Sequence, residues 1–203
     1  MVAVFTHQQE RVGMSSSYTE VKPWTLATSD WRHFLSMGCG SGCLPWVPGT
    51  WGTLPAVFLF WLVSGLPIWA LVAITAAMFF MGALLTIHTA KAMGRKDPGN
   101  IVWDEWVGYF VTVLFVPHSW GYLWLGFLFF RLFDWFKVIP VTEAERRTKD
   151  GWAIMLDDVV AGILAWGGII VLREFGGIGL ALYFTAWGTW YLDVWKDEHA
   201  ANA

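Results

Sequence analysis

Ile68-Trp69-Ala70-Leu71-Val72-Ala73-Ile74-Thr75-Ala76-Ala77-Met78-Phe79-Phe80-Met81-Gly82-Ala83-Leu84-Leu85-Thr86-Ile87-His88-Thr89-Ala90 contains no Asp, Glu, Lys or Arg. A bilayer core of about 30 Å needs roughly 20 apolar helical residues, so this stretch is long enough to cross one. Its surroundings repeat the message. No charged residue occurs between Arg32 and Lys91, and none from Trp106 to Phe130. From Val159 to Leu192 the only charges are Arg173 and Glu174. Each apolar run carries a turn signal near its middle: Gly65-Leu66-Pro67, Pro117-His118-Ser119-Trp120-Gly121 and Arg173-Glu174-Phe175-Gly176-Gly177. The pattern predicts an all-α, polytopic integral membrane protein built of helical hairpins. Pieces of 11 residues, such as 54–64, reach only about 16 Å, so some segments are expected to be short, re-entrant or deeply buried. Three or four full spans kinked at Pro67 and Pro117 are the competing arrangement.

Composition agrees. Of 203 residues, 56% are hydrophobic and only 14% charged, with mean hydropathy +0.49. Soluble domains carry about 25% charge, and disordered chains need low hydrophobicity, so both classes are excluded. A net charge of -3 and pI of about 5.9 give no basic face for a nucleic-acid partner. The sixteen Trp suit the membrane–water boundary. Residues 1–30 read as a flexible polar arm and 31–203 as a single membrane-embedded domain. No cleavable signal peptide is visible in the polar residues 1–33. Cys39 and Cys43 are too few for a zinc site or a disulfide framework and read as packing residues or free thiols. Eight of the thirteen Lys and Arg fall in 91–149, which the positive-inside rule assigns to the cytoplasm.

The few acids are not scattered. Asp104-Glu105 precedes the second apolar run and Asp157-Asp158 the third, with Arg131, Asp134 and Lys137 between them at i, i+3, i+6. That spacing puts the last three near one helix face. Carboxylates set among apolar residues are costly unless something positive compensates, and paired acids offer the hard oxygens that Mg²⁺ prefers. Cations beside them suit an anionic oxygen such as phosphate. The plainer reading is that acids in a first helical turn answer the helix dipole and do no chemistry. Gly108 and Gly162 stand four residues after Asp104 and Asp158, a spacing that allows helices to pack closely beneath the acids. Trp103, Trp106 and Trp135 flank the acids as candidates for excluding water. His33, His88, His118 and His199 lack a partner at ligand spacing and read as interfacial or core residues.

The segment from Gly38 to Thr53 is rich in Gly and Pro, which forbids a long helix and predicts a structured loop. Its backbone and hydroxyls can cradle phosphate, but no Walker-type lysine follows.

Four ordered motifs resemble the phosphatidylglycerophosphatase A family. They are Gly42-x-x-Pro45-x-x-Pro48-Gly49-Thr50-x-Gly52-Thr53, Asp97-x-x-x-Ile101-Val102-x-Asp104-Glu105-x-x-Gly108, Phe130-Arg131-x-x-Asp134-x-x-Lys137 and Ile154-Met155-x-Asp157-Asp158-x-x-Ala161-Gly162. The chain departs from the family pattern at Val138-Ile139-Pro140-Val141 and at Asp150-Gly151-Trp152-Ala153, beside the acids and not on them. The resemblance implies a Mg²⁺-dependent enzyme of the bacterial inner membrane that converts phosphatidylglycerophosphate to phosphatidylglycerol, with its site facing the cytoplasm. Asp104, Glu105, Asp134, Asp157 and Asp158 are then expected to hold Mg²⁺, with Asp97 as a further ligand or outer partner. Arg131 and Lys137 would neutralise charge, while Gly49, Thr50, Gly52 and Thr53 hold phosphate oxygens. Water and an aspartate both stand as nucleophile. The alternatives are another Mg²⁺-dependent lipid-headgroup enzyme and, from a different class, an ion channel or transporter. A CDP-alcohol phosphatidyltransferase would need an Asp-Gly-x-x-Ala-Arg run, which is absent. A channel predicts acids within the spans, whereas here they gather at one edge.

Overall fold

The computed structural model describes residues 22–94, 98–136 and 151–200, and all of its regular structure is helical. Two short helices, α1 (Pro23–Ala27) and α2 (Trp31–Ser36), lead into a 3₁₀ turn at Gly38–Cys43. Then follow α3 (Pro48–Val63), α4 (Ile68–Met93), α5 (Trp103–Val113), α6 (Trp120–Trp135) and α7 (Gly151–Ala200).

The expected breaks appear, with one change of position at the start. Residues 48–53 are not loop. Pro48 stands in the first turn of α3, where its fixed φ is preorganised and its missing N–H costs nothing, so the helix begins six residues before the apolar run at 54. The proposed polar arm is also partly ordered: Leu26 and Ala27 of α1 are buried against Met37 and Cys43. Residues 1–21 of that arm lie outside the described residues.

The third break makes a true hairpin. Within α7, Gly176 adopts φ 63° and ψ -156°, a conformation only glycine reaches easily. Tyr183 Oη donates to the Leu164 carbonyl at 2.7 Å. Along a straight helix those residues would stand about 28 Å apart. The arms 151–175 and 177–200 are therefore folded back on each other. The first break behaves differently, because α3 and α4 each pack more closely on α5 than on one another.

α5 is the hub. Its eleven residues reach only about 16 Å, and nine of them are buried among α3, α4, α6 and α7. Tyr109 and Phe110 are fully buried there, with Phe60 of α3 and Phe130 of α6. Among the described residues, two stretches are long and apolar enough to cross a membrane, Ile68–Met93 and Gly151–Asp193 of α7, the latter bent at Gly176. Leu84, Trp69 and Phe80 of α4 point outward, as a bilayer-facing surface requires. One end of the bundle gathers the turns: His118 Nδ1 meets the Ser64 carbonyl at 2.9 Å, and Trp61 stacks on Trp120. A shallow apolar groove brings Ser119 and Tyr122 beside Leu172 and Arg173 at the same end. The opposite end, where α5 begins and α6 finishes, holds the acids.

Candidate active site

The acids arrive on three helix ends. Asp104 and Glu105 occupy the first turn of α5, where the dipole favours them. Asp134 lies in the last turn of α6, one turn after Arg131. Asp157 and Asp158 lie in the second turn of α7. Asp104 and Asp158 are buried at 8% exposure each, and Asp157 is half-buried.

Arg131 is the bridge. Its Nη1 lies 3.1 Å from Glu105 Oε2 and 2.6 Å from Asp134 Oδ2, so one guanidinium links α5 to the end of α6. Thr53 Oγ1 stands 2.6 Å from Glu105 Oε2 and 2.8 Å from the Gly49 carbonyl, bringing the first turn of α3 into the same network. Gly49 leaves room for this pair: a Cβ there would run into Glu105 Oε1 and lie 2.8 Å from Arg131 Nη2, so both side-chain ends would have to shift. Burial pushes the Glu105 carboxyl up to about 7, against the pull of the neighbouring Arg131 guanidinium.

The glycines beneath the acids do what their spacing predicts. A Cβ on Gly108 would lie 2.6 Å from the Asp158 carbonyl, and one on Gly162 would strike the Gly108 carbonyl. Thr112 Oγ1 donates to Gly108 O at 2.9 Å and approaches Gly162 O at 3.3 Å, closing the contact. Backbone-to-backbone approach of α5 and α7 is thus what sets the Asp104 and Asp158 turns side by side.

The glycine-rich segment serves a purpose that sequence reading did not assign. Val102, at the N-cap of α5, is a knob in a socket of glycines. Side chains at Gly38 or Gly52 would each collide with it, Gly52 at 2.5 Å from its Cβ, and one at Gly42 would strike the neighbouring Asn100 carbonyl. Val102 N–H donates to Ser36 O at 3.1 Å, and Asn100 Nδ2 donates to Gly42 O at 2.7 Å. Trp106 Nε1 donates to Gly52 O at 2.7 Å, and Trp103 Nε1 to Met78 O at 3.0 Å. The segment clamps the residue that precedes the acidic turn.

Of the residues expected to hold phosphate, Gly49, Thr53 and Arg131 reach the acids. Gly52 is spent on Val102 and Trp106, and Thr50 is half-buried in the first turn of α3. Trp103 and Trp106 are buried and stacked at 5.2 Å beside the acids, whereas Trp135 is 79% exposed and shields nothing. Lys137 and Asp97 lie outside the described residues. The Thr53–Glu105 contact joins positions 52 apart, and only the common identity of a hydroxyl near an acid hinted at it. Cys39 and Cys43 are free thiols, as expected.

The chain matches the family model described as phosphatidylglycerophosphatase A over residues 34–173, a span containing every described residue of this site. The phosphatidylglycerophosphatase A of Escherichia coli (strain K12) is 35% identical over 165 residues, covering 80% of this chain and 95% of that protein. That of Haemophilus influenzae is 39% identical over 135 residues, covering 66% of this chain and 83% of the relative. No solved structure matches the chain. With the family model spanning more than half its length and relatives this similar over most of theirs, the chain belongs to the phosphatidylglycerophosphatase A family.

Proposed function

We propose that this protein hydrolyses phosphatidylglycerophosphate to phosphatidylglycerol and phosphate, with Mg²⁺ as cofactor, at the cytoplasmic face of a bacterial inner membrane. The observation that carries the reading is the meeting of Glu105, Arg131 and Asp134 with buried Asp158 at one end of an apolar bundle, in a chain of this family. Such a site takes a charged headgroup while the acyl chains of its lipid stay in the bilayer.

The residues fit a hard divalent cation. Asp158 Oδ2 is buried with no hydrogen-bond partner among the described residues, an expensive state for a carboxylate oxygen unless a cation joins it. Carboxylate oxygens are the donors Mg²⁺ selects, and Asp104, Glu105, Asp134, Asp157 and Asp158 would hold it. When bound, Mg²⁺ supplies the positive charge that offsets the negative phosphoryl oxygens. Arg131 orients Glu105 and Asp134 and, with Lys137, neutralises the phosphomonoester. Thr53 fixes the Glu105 carboxyl, and the stacked Trp103 and Trp106 keep water from the floor of the site.

The test is phosphate release by the purified protein in mixed micelles containing phosphatidylglycerophosphate. Release that stops on adding EDTA and returns with Mg²⁺ supports the reading. Absence of release, or release indifferent to EDTA, overturns it.

A further inference from the structure

Away from the acids, the fold draws together a second set of metal-binding side chains. Asp30, His33 and His88 each present a ligand atom, and all three atoms lie within 4.8 Å of one another. Asp30 caps α2, His33 stands one turn further on, and His88 belongs to the last turns of α4. The two imidazoles stack with centroids 4.8 Å apart and planes 20° from parallel. His88 Nε2 is 3.8 Å from Asp30 Oδ2. His33 is buried, and its Nδ1 lies 3.0 Å from Thr89 Oγ1.

We propose that Asp30, His33 and His88 form a binding site for a divalent transition-metal ion of the zinc class, separate from the acidic site. Two imidazoles and one carboxylate select such an ion over Mg²⁺, which prefers oxygen alone. Three protein ligands leave a fourth position for water. The Thr89 hydroxyl engages Nδ1 of His33, which fixes the ring and leaves Nε2 as the nitrogen to offer, the usual outer support of a metal-bound histidine. Ligand atoms around tetrahedral zinc stand about 3.3 Å apart, so the trio closes by small rotations. The room exists, because the side chains of His88 and Asp30 are 40% and 24% exposed. Arg32 now holds Asp30 through Nε and Nη2, the latter at 2.7 Å, so a bound ion would share the Asp30 carboxylate with it or displace it. A bound ion would tie α2 to α4. Because Ser36 at the end of α2 accepts the Val102 N–H, the tie would also steady the turn that carries Asp104.

The full chain, purified in detergent, stripped with EDTA and returned to millimolar Mg²⁺, is titrated with Co²⁺ as a spectroscopic stand-in for Zn²⁺. The expected result is one Co²⁺ per chain at this site, with a ligand-field absorption band, in the wild type and in Asp158→Asn alike. His88→Gln and Asp30→Asn, both at accessible positions, each weaken binding at least about tenfold. Zn²⁺ raises the thermal midpoint of the wild type and leaves that of His88→Gln unmoved. No uptake of Co²⁺ in the presence of Mg²⁺, or uptake unchanged in both His88→Gln and Asp30→Asn, overturns the proposal.

Discussion

α4 and α5 are neighbours built on opposite terms. α4 has 26 residues, no acid, and an outward face of Trp69, Phe80 and Leu84. α5 has 11 residues, is surrounded by four helices, and carries Asp104, Glu105 and two indoles that donate to backbone carbonyls. A helix that meets lipid along its length must be apolar wherever lipid reaches it, so its polar groups are confined to its ends and to the side that protein covers. A helix wrapped by others can hold carboxylates, because protein and not lipid surrounds them. The short helix thus carries its acids in its first turn, while the long α7 contributes Asp157 and Asp158 only near the end that packs against it.

Substitutions that breach the wrapping of α5 should cost far more than those on the outer face of α4. Asp158→Asn, touching the buried acids directly, should lower phosphate release about 10³-fold or more while the fold survives, as read by unchanged thermal midpoint and elution volume. An active variant would remove Asp158 from the site. Next comes Gly108→Ala, whose Cβ would lie 2.5 Å from Phe130 and 2.6 Å from the Asp158 carbonyl. It should destabilise the detergent-solubilised protein by about 1–3 kcal/mol, with activity falling in step. Gly52→Ala should do similar harm through Val102, and adding Val102→Ala should recover part of it. A double-mutant cycle should give a coupling of about 0.5–3 kcal/mol, and strict additivity would break the knob-and-socket account. Thr53→Val removes a single hydrogen bond to Glu105 at nearly constant shape, and should slow turnover by about 1 kcal/mol, or roughly fivefold. Leu84→Ala, at a position 64% exposed, closes the series with a stability change within about 0.5 kcal/mol. If it matched Gly108→Ala, the contrast between the two helices would fail.

Much of this was legible before folding. The turn signals at 65–67, 117–121 and 173–177 mark real breaks between helical segments, because Gly and Pro act locally. Gly108 and Gly162 were readable from their distance to the acids, since spacing along a helix fixes which face a residue takes. The role of Gly38, Gly42 and Gly52 was not readable. Glycine permits both a phosphate cradle and a tight socket, and only the arrival of Asn100 and Val102 from 50 or more residues away distinguishes them. The same holds for His33 and His88, which lack any shared helical spacing and meet only because α2 lies against α4. Trp103 and Trp135 look alike beside acids in sequence, yet one donates to Met78 and the other faces outward.

The sequence by itself determined the apolar character, the helical class, the breaks between helices and the acids at the edges of the apolar runs, all of which follow from local composition and from periodicity. Tertiary structure decided which acids share a site, that α5 and not a long span is the centre, and that Thr53 and Arg131 reach Glu105 together. Those outcomes depend on backbones approaching across distant parts of the chain, and the sterics of close contact act only once the helices have met.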